Sequence, residues 1–448
     1  MSKYIGIFVF VFSLFSLGVH AGESFRFRVY LKDKGDSGYT LDNPEEYLSK
    51  ESVERRNRQG ISVSESDLPI AQAYLDTLSA NGGKPVLESK WFSTVVVSSP
   101  DSLVAERLSR LPIVDSVKWV WKGDEEIDIP REEKDTTRFM PIDKPEKSPY
   151  GYAEEQIKML NGIKLHEAGF KGEGMRVAVV DAGFMNVDRI SVFDSLRLLG
   201  THNVVFPGRS VFIGDDHGTK VLSCLAADAP GLMVGTAPQA EYWLIKSEDS
   251  RSEFPIEEDY WTAAMEFADS VGVDVLNTSL GYYAFDDKSK NYKLRNLDGH
   301  HALMSRQASR IADKGMVLVC SAGNSGAGSW KKITPPGDAE NVLTVGAVDK
   351  EAVLAPFSSV GNTADHRIKP DVVAVGLGAD VIRTDGNQGR ANGTSFASPI
   401  MCGMVACLWQ ACPELTAKEV IELVRRSGDR ADFPDNIYGY GVTDLWKA

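Results

Sequence analysis

Cysteine is scarce in this chain: five residues in 448, Cys224, Cys320, Cys402, Cys407 and Cys412, all in the second half. The odd count leaves at least one thiol unpaired, and no Cys-x-x-Cys spacing offers a zinc site. Set in apolar runs such as Val317-Leu318-Val319-Cys320, they read as small buried hydrophobes rather than as a disulfide framework. Basic charge is also short, with 49 Lys and Arg against 63 Asp and Glu for a formal net charge of −14. That excludes the basic face on which phosphate neutralisation depends, and with it a nucleic-acid partner. The one basic cluster, Arg55, Arg56 and Arg58, is flanked by Glu51, Glu54 and Glu65 and reads as a solvated helix face. Gly172-x-Gly174 precedes its strand and lacks a third glycine on schedule, which sets dinucleotide binding aside. Long apolar runs are missing beyond the N-terminus, so the mature chain is expected to have no membrane span.

What is present begins with an exported-protein leader. Lys3, the apolar run Ile5 to Val19 and the small-residue end at Ala21 mark residues 1–21 as a signal peptide, which implies an exported, soluble mature protein in the periplasm or outside the cell. With 43% apolar and 25% charged residues, the remainder is globular in composition and long enough for one large core plus a smaller domain.

Residues 22–122 alternate strand-like and helical patterns in the order β-α-β-β-α-β, the arrangement of a small ferredoxin-like α+β sandwich. The strands are expected at Phe25–Leu31, Pro85–Phe92, Ser93–Ser98 and Val114–Val120, and the helices at Ile70–Leu78 and Ser102–Leu111. Residues 123–149, rich in charge and proline, read as an exposed linker. From residue 150 to 448 the pattern changes to continuous apolar strands, Arg176–Val180, Tyr242–Ile245, Val273–Leu276, Met316–Cys320 and Val342–Val348. Helical stretches at His217–Ala227, Glu257–Val271 and Ala302–Lys314 separate them. Strands apolar on both faces and alternating with helices predict a three-layer α/β domain with a mainly parallel sheet.

In such a sheet the loops after the strands build the site. Asp181 directly follows Val177-Ala178-Val179-Val180 and precedes Ala182-Gly183; alone it could equally cap a helix or brace a loop. His217 opens an apolar helix, where a lone histidine is usually a surface or capping residue, yet its ring is the side chain best suited to accept and return a proton near neutrality. Asn324, in Ser321-Ala322-Gly323-Asn324, follows another buried strand; it reads as a turn residue whose amide could also donate to an oxyanion. Ser395, in Gly393-Thr394-Ser395-Phe396-Ala397, sits in the first turn of an apolar helix, where an ordinary cap and a nucleophile over the positive helix end are both open readings. Together the four supply a nucleophile, a base, an orienting carboxylate and an oxyanion donor, the full requirement for acyl transfer.

The segments Val179-Val180-Asp181-Ala182-Gly183, His217-Gly218-Thr219-Lys220-Val221 and Gly393-Thr394-Ser395-Phe396-Ala397-Ser398-Pro399 resemble the three active-site signatures of the subtilisin-like serine proteases, in that family's order. Asn277-Thr278-Ser279-Leu280-Gly281, Ala322-Gly323-Asn324, Phe357-Ser358-Ser359-Val360-Gly361 and Lys369-Pro370-Asp371 match further family motifs, and the likeness spans about residues 152–448. The resemblance implies a secreted serine endopeptidase with Ser395 as nucleophile, His217 as general base and then acid, Asp181 as orienter and Asn324 as oxyanion donor. It also implies that Ser279, Leu280, Gly281 and Gly323 bind an extended protein or peptide substrate, and that residues 22–122 are a propeptide acting as intramolecular inhibitor until cut in the linker. Calcium stabilises many relatives and the acidic loop at Asp286-Asp287 is a conceivable holder, but no ligand spacing is diagnostic and no cofactor is expected. Departures from the family pattern are Ala182 for Thr or Ser, Lys220 for a second His and Phe396 for Met; none of the three moves a proton. The resemblance runs to Gly439–Trp446, near the usual end of the catalytic core, so no accessory domain is expected after it. A catalytically silent binding module of the same fold is the alternative; an α/β-hydrolase would need Gly-x-Ser-x-Gly and the reverse residue order.

Overall fold

The computed structural model describes residues 23–124, 136–142 and 147–448; the expected signal peptide and much of the expected linker lie outside the described residues. Four strands, β1 (Ser24–Leu31), β2 (Lys84–Ser89), β3 (Thr94–Ser99) and β4 (Val114–Gly123), form an antiparallel sheet in the order β2-β3-β1-β4. Side chains alternate across a strand, and here both faces are used. Phe27, Val29, Val95 and Val97 meet Leu78 and Leu108 from helices α2 (Gln72–Ala80) and α3 (Val104–Leu108). Val96, Val120 and Trp121 turn the other way, into a core shared with the larger unit.

The helix α1 (Lys50–Arg58), capped by the Ser49 hydroxyl, corrects the reading of the basic cluster. Arg55 and Arg56 are 2% and 1% exposed, not solvated. Their partners are distant in sequence: Arg55 donates to Asp269 at 2.5 Å, and Arg56 to Asp67 and to both oxygens of Asp269. The neighbouring Glu51, Glu54 and Glu65, which suggested solvation, are not the residues that neutralise them.

The larger unit is a seven-stranded sheet, parallel throughout, of β5 (Arg176–Asp181), β6 (Arg197–Asn203), β7 (Glu241–Lys246), β8 (Val275–Thr278), β9 (Val317–Ser321), β10 (Leu343–Val348) and β11 (Val372–Val375). Their order is β11-β10-β9-β8-β5-β7-β6. Val177 and Val179 pack on the face covered by helices α4 (His217–Ala226), α7 (Thr394–Ala411) and α8 (Ala417–Arg426). Ala178 and Val180 pack on the opposite face, against α5 (Ile256–Ser270) and α6 (Leu303–Ile311). This is the expected three-layer arrangement, with two strands, β6 and β11, added to those anticipated.

Helices α5 and α6 lie between the two sheets, so the small sheet has helices on each face, two of them belonging to the larger unit. Charge closes the seam. Arg28 pairs with Asp259 through two bonds of 2.5 and 2.6 Å, and Glu266 accepts from Ser89 Oγ and from the amides of Lys90 and Trp91. No helix among the described residues is long and apolar enough to cross a membrane.

Candidate active site

The chain leaves β5, visits β6 and β7 on one side, and then crosses to β8 on the other side of β5. That reversal opens a crevice beyond the carboxyl ends of β5 and β8, the place where open parallel sheets hold ligands. Asp181 ends β5 there, fully buried, with Oδ1 accepting from the Ala182 amide at 2.8 Å. His217 opens α4 above it. Gly218 lets the helix come this close: a methyl group there would stand 2.3 Å from the Gly183 carbonyl oxygen. The result is a bond of 2.7 Å from His217 Nδ1 to Asp181 Oδ1. A carboxylate on Nδ1 fixes the proton there and leaves Nε2 with its lone pair.

Burial works against charging the His217 ring, but Asp181 outweighs it, with Glu248 and Asp215 adding to the effect, and the imidazolium is favoured up to about 9. Glu248 follows β7, next to β5, and burial together with the Asp181 charge pushes its carboxyl up to about 7. Tyr282 Oη donates to it at 3.3 Å. This third carboxyl beside the imidazole escaped sequence reading; its position just after a strand was the available signal.

Ser395 is the second residue of α7, and Phe396 stacks obliquely toward His217 with ring centres 6.0 Å apart. Its hydroxyl lies 3.4 Å from the Ser279 carbonyl oxygen, to which it donates. Pro399 follows four residues later inside the helix and has no N–H to give the Ser395 carbonyl. The Ser279 hydroxyl takes that vacant place at 2.9 Å, tying the helix start to the loop after β8. Ser398 Oγ donates to Asn277 Oδ1 at 2.8 Å, a second tie between the same two elements.

Asn324, exposed at the end of the loop after β9, is held by one end only. Its Oδ1 accepts from the Thr394 amide at 2.9 Å and from Thr394 Oγ1 at 3.0 Å, so its Nδ2 is the end left to act as a donor. Thr394 Oγ1 in turn accepts from the Gly323 amide at 3.1 Å. Thr394 thus sets the amide of Asn324, a role that residue type alone did not announce. Leu280 and Ser279 are buried beside Ser395, while Gly281 and Gly323 border the opening. Lys220 pairs with Asp216 at 2.9 Å rather than with the histidine.

Asp286 accepts from the Glu253 amide and Asp287 from the Ser289 amide, and among the described residues no group of three or more His, Cys, Asp or Glu could hold a metal ion. All five cysteines are free, four buried and Cys412 half-buried.

Residues 172–441 match the family model described as Subtilase family, and residues 26–137 match the Peptidase S8 propeptide domain, Bacteroidota. The chain is 29% identical over 306 residues to Subtilisin DY of Bacillus licheniformis, covering 67% of this chain and 98% of the relative. It is 28% identical over 396 residues to Subtilisin NAT of Bacillus subtilis subsp. natto, covering 88% and 89%. Among solved structures, the fold resembles that of MycP3 protease from the type VII (ESX-3) secretion system, with a TM-score of 0.52 at 20% identity over 71% of this chain and 98% of that one. With its family model covering more than half of its length and a propeptide model ahead of it, this chain belongs to the subtilase family and is a serine-type endopeptidase made with a propeptide domain.

Proposed function

We propose that this endopeptidase cleaves peptide bonds through Ser395, His217 and Asp181 by way of an acyl-enzyme. The observation that carries the reading is the 2.7 Å bond from His217 Nδ1 to a buried Asp181 at the mouth of the crevice that also receives Ser395. His217 Nε2 takes the Ser395 proton as Oγ attacks the carbonyl carbon, and Asp181 stabilises the imidazolium without becoming protonated. Charge developing on the carbonyl oxygen meets Asn324 Nδ2 and the positive end of α7. The imidazolium then protonates the leaving amine, the peptide C–N bond breaks, and a water activated by the same base releases the acyl group. Ser279, Leu280, Gly281 and Gly323 line the path of an extended protein or peptide segment.

In the same reading residues 1–21 direct export to the periplasm or beyond, residues 22–122 are the prodomain that inhibits residues 150–448 until release, and residues 123–149 hold the cut. The salt-bridged seam on α5 supports a tight intramolecular inhibitor. No cofactor takes part. Mature protein should hydrolyse casein and form a covalent adduct with a serine-directed fluorophosphonate, and Ser395→Ala should do neither and remain at precursor length. Folded, processed wild type that labels no better than Ser395→Ala would defeat the proposal.

A further inference from the structure

Residues 49–67, between β1 and α2, leave the small sheet and run along the larger unit. Strands β5, β8 and β9 of that unit are parallel and begin at Arg176, Val275 and Val317. The segment meets them at this beginning edge: Glu51 pairs with Arg176 at 3.8 Å, and Arg58 pairs at 3.1 Å with Asp274, the residue before β8. Asp181 and Thr278 end β5 and β8 at the other edge, where the crevice lies. The rise along β5 sets the two edges roughly 17 Å apart.

A helix leaves its last carbonyls and first amides without partners of its own, and the segment supplies partners around the ends of α5, α6 and α8. The Ser49 amide donates to the Ser270 carbonyl at 2.8 Å, at the end of α5, and Arg55 donates to the Val273 carbonyl just beyond it at 2.6 Å. Gln59 Nε2 donates to the Gly315 carbonyl at 2.8 Å, shortly after α6, while its Oε1 accepts from the Ala417 amide at 2.9 Å, the first of α8. Lys314 donates to Ser66 Oγ and Asp67 Oδ1, both at 2.7 Å. The larger unit is bare backbone where the segment lies closest. A methyl group on Gly272 would stand 2.4 Å from Glu51 Cβ, and one on Gly315 would stand 2.9 Å from Gln59 Nε2. At the centre of the contact Arg55, Arg56, Asp67 and Asp269 are all buried, so their ion pairs are little weakened by salt. Buried arginines in such central, dry positions carry much of the affinity of a protein contact.

We propose that residues 49–67 are not discarded when inhibition ends but stay on the larger unit as a second chain of the active endopeptidase. The proposal rests on the protease reading and adds a structural subunit to it. An occupied face and an open crevice are compatible because they lie at opposite edges of one sheet. Inhibition then ends with the departure of the small sheet, while the segment that completes the ends of three helices remains.

The test uses the full chain with a C-terminal affinity tag, left to process itself, with the active species marked by a fluorophosphonate. Labelled enzyme captured by its tag and washed in high salt should retain an equal amount of a fragment containing residues 49–67, identified by its mass after denaturation. The rate at which that fragment leaves should rise by at least about 30-fold in Asp269→Asn, which breaks a buried charge pair. Gln59→Ala, which loses two neutral bonds, should raise it by about 10-fold and keeps the test valid if Asp269→Asn does not fold. Labelled enzyme without the fragment, label confined to the uncut chain, or a rate unmoved in both variants overturns the proposal and leaves the protease reading intact. Absence of any Ser395-dependent label overturns both.

Discussion

The hydroxyl of Ser279 donates to the carbonyl of Ser395 at 2.9 Å, filling the place of the helical N–H that Pro399 lacks. A helix-interior proline commonly costs about 3 kcal/mol, part of it the lost bond. Here that loss is offset by a donor from another strand's loop, and the first turn of α7 is anchored to the loop after β8. Ser279→Ala should destabilise the protein by about 1–3 kcal/mol, the cost of an unsatisfied buried acceptor, and should lower kcat. Pro399→Ala in the same background returns a backbone donor to the helix. The double variant should recover stability relative to Ser279→Ala in urea unfolding; additive losses would show that the two residues do not share this carbonyl.

Much of this was legible from the chain. β5, β7, β8, β9 and β10 are continuous apolar runs because both faces of a covered parallel sheet are buried. β6 escaped because it is an edge strand whose Arg197, Leu198 and Leu199 face solvent, and β11 because four residues after a Lys-Pro-Asp turn are too few to show a period. Asp181, His217, Asn324 and Ser395 could be picked out because each stands where a strand ends or a helix begins. Arg55 and Arg56 misled because burial of a charge is decided by its partner, and Asp269 lies more than 200 residues away. Glu248 and Thr394 belong to the same class: their roles come from what lies across the crevice.

The His217–Asp181 bond predicts an alkaline acid limb. In the proposed mechanism the neutral ring is the base, and the coupling to Asp181 favours the charged ring up to about 9, so kcat/KM of the mature enzyme should climb with pH well above the ordinary histidine value of 6.5. The same raised value means that the pair's contribution to stability is complete below 6.5 and is lost as pH rises through about 9. Asp181→Asn should move the limb down and cut kcat by about 10⁴-fold. Glu248→Gln removes a weaker charge from the same ring and should move the limb down without that loss of kcat. A wild-type limb at 6.5 would contradict the coupling.

Asp269 joins two buried guanidinium groups, Arg55 and Arg56, across the seam between α1 and α5. Removing it leaves Arg55 buried without a carboxylate partner, while Arg56 keeps only Asp67, which Lys314 also holds at 2.7 Å. Breaking a buried pair costs about 3–5 kcal/mol, so Asp269→Ala in the uncut Ser395→Ala precursor should lower unfolding stability by that order. Exposed Lys50–Glu54 on α1 supplies the contrast: Glu54→Ala should change stability by less than about 0.5 kcal/mol. Equal effects would mean that the seam is solvated in the precursor.

Thr394 holds Asn324 by its carbonyl oxygen and Gly323 by its amide, so its hydroxyl sets the direction of Asn324 Nδ2. Asn324→Ala removes the proposed oxyanion donor and should lower kcat by about 10²–10³-fold with KM little changed, because the bond strengthens only as charge develops. Thr394→Val keeps the shape of the side chain but loses both hydroxyl bonds. The Thr394 amide still grips Asn324 Oδ1 at 2.9 Å, so the amide group is loosened rather than lost, and kcat should fall by about 10-fold. Thr394→Ser, which keeps the hydroxyl, should restore most of it. The decisive comparison is Thr394→Val in the Asn324→Ala background: if Thr394 acts through Asn324, the valine should there cost little more in kcat, whereas an undiminished 10-fold loss would assign Thr394 a purely structural role in the helix start.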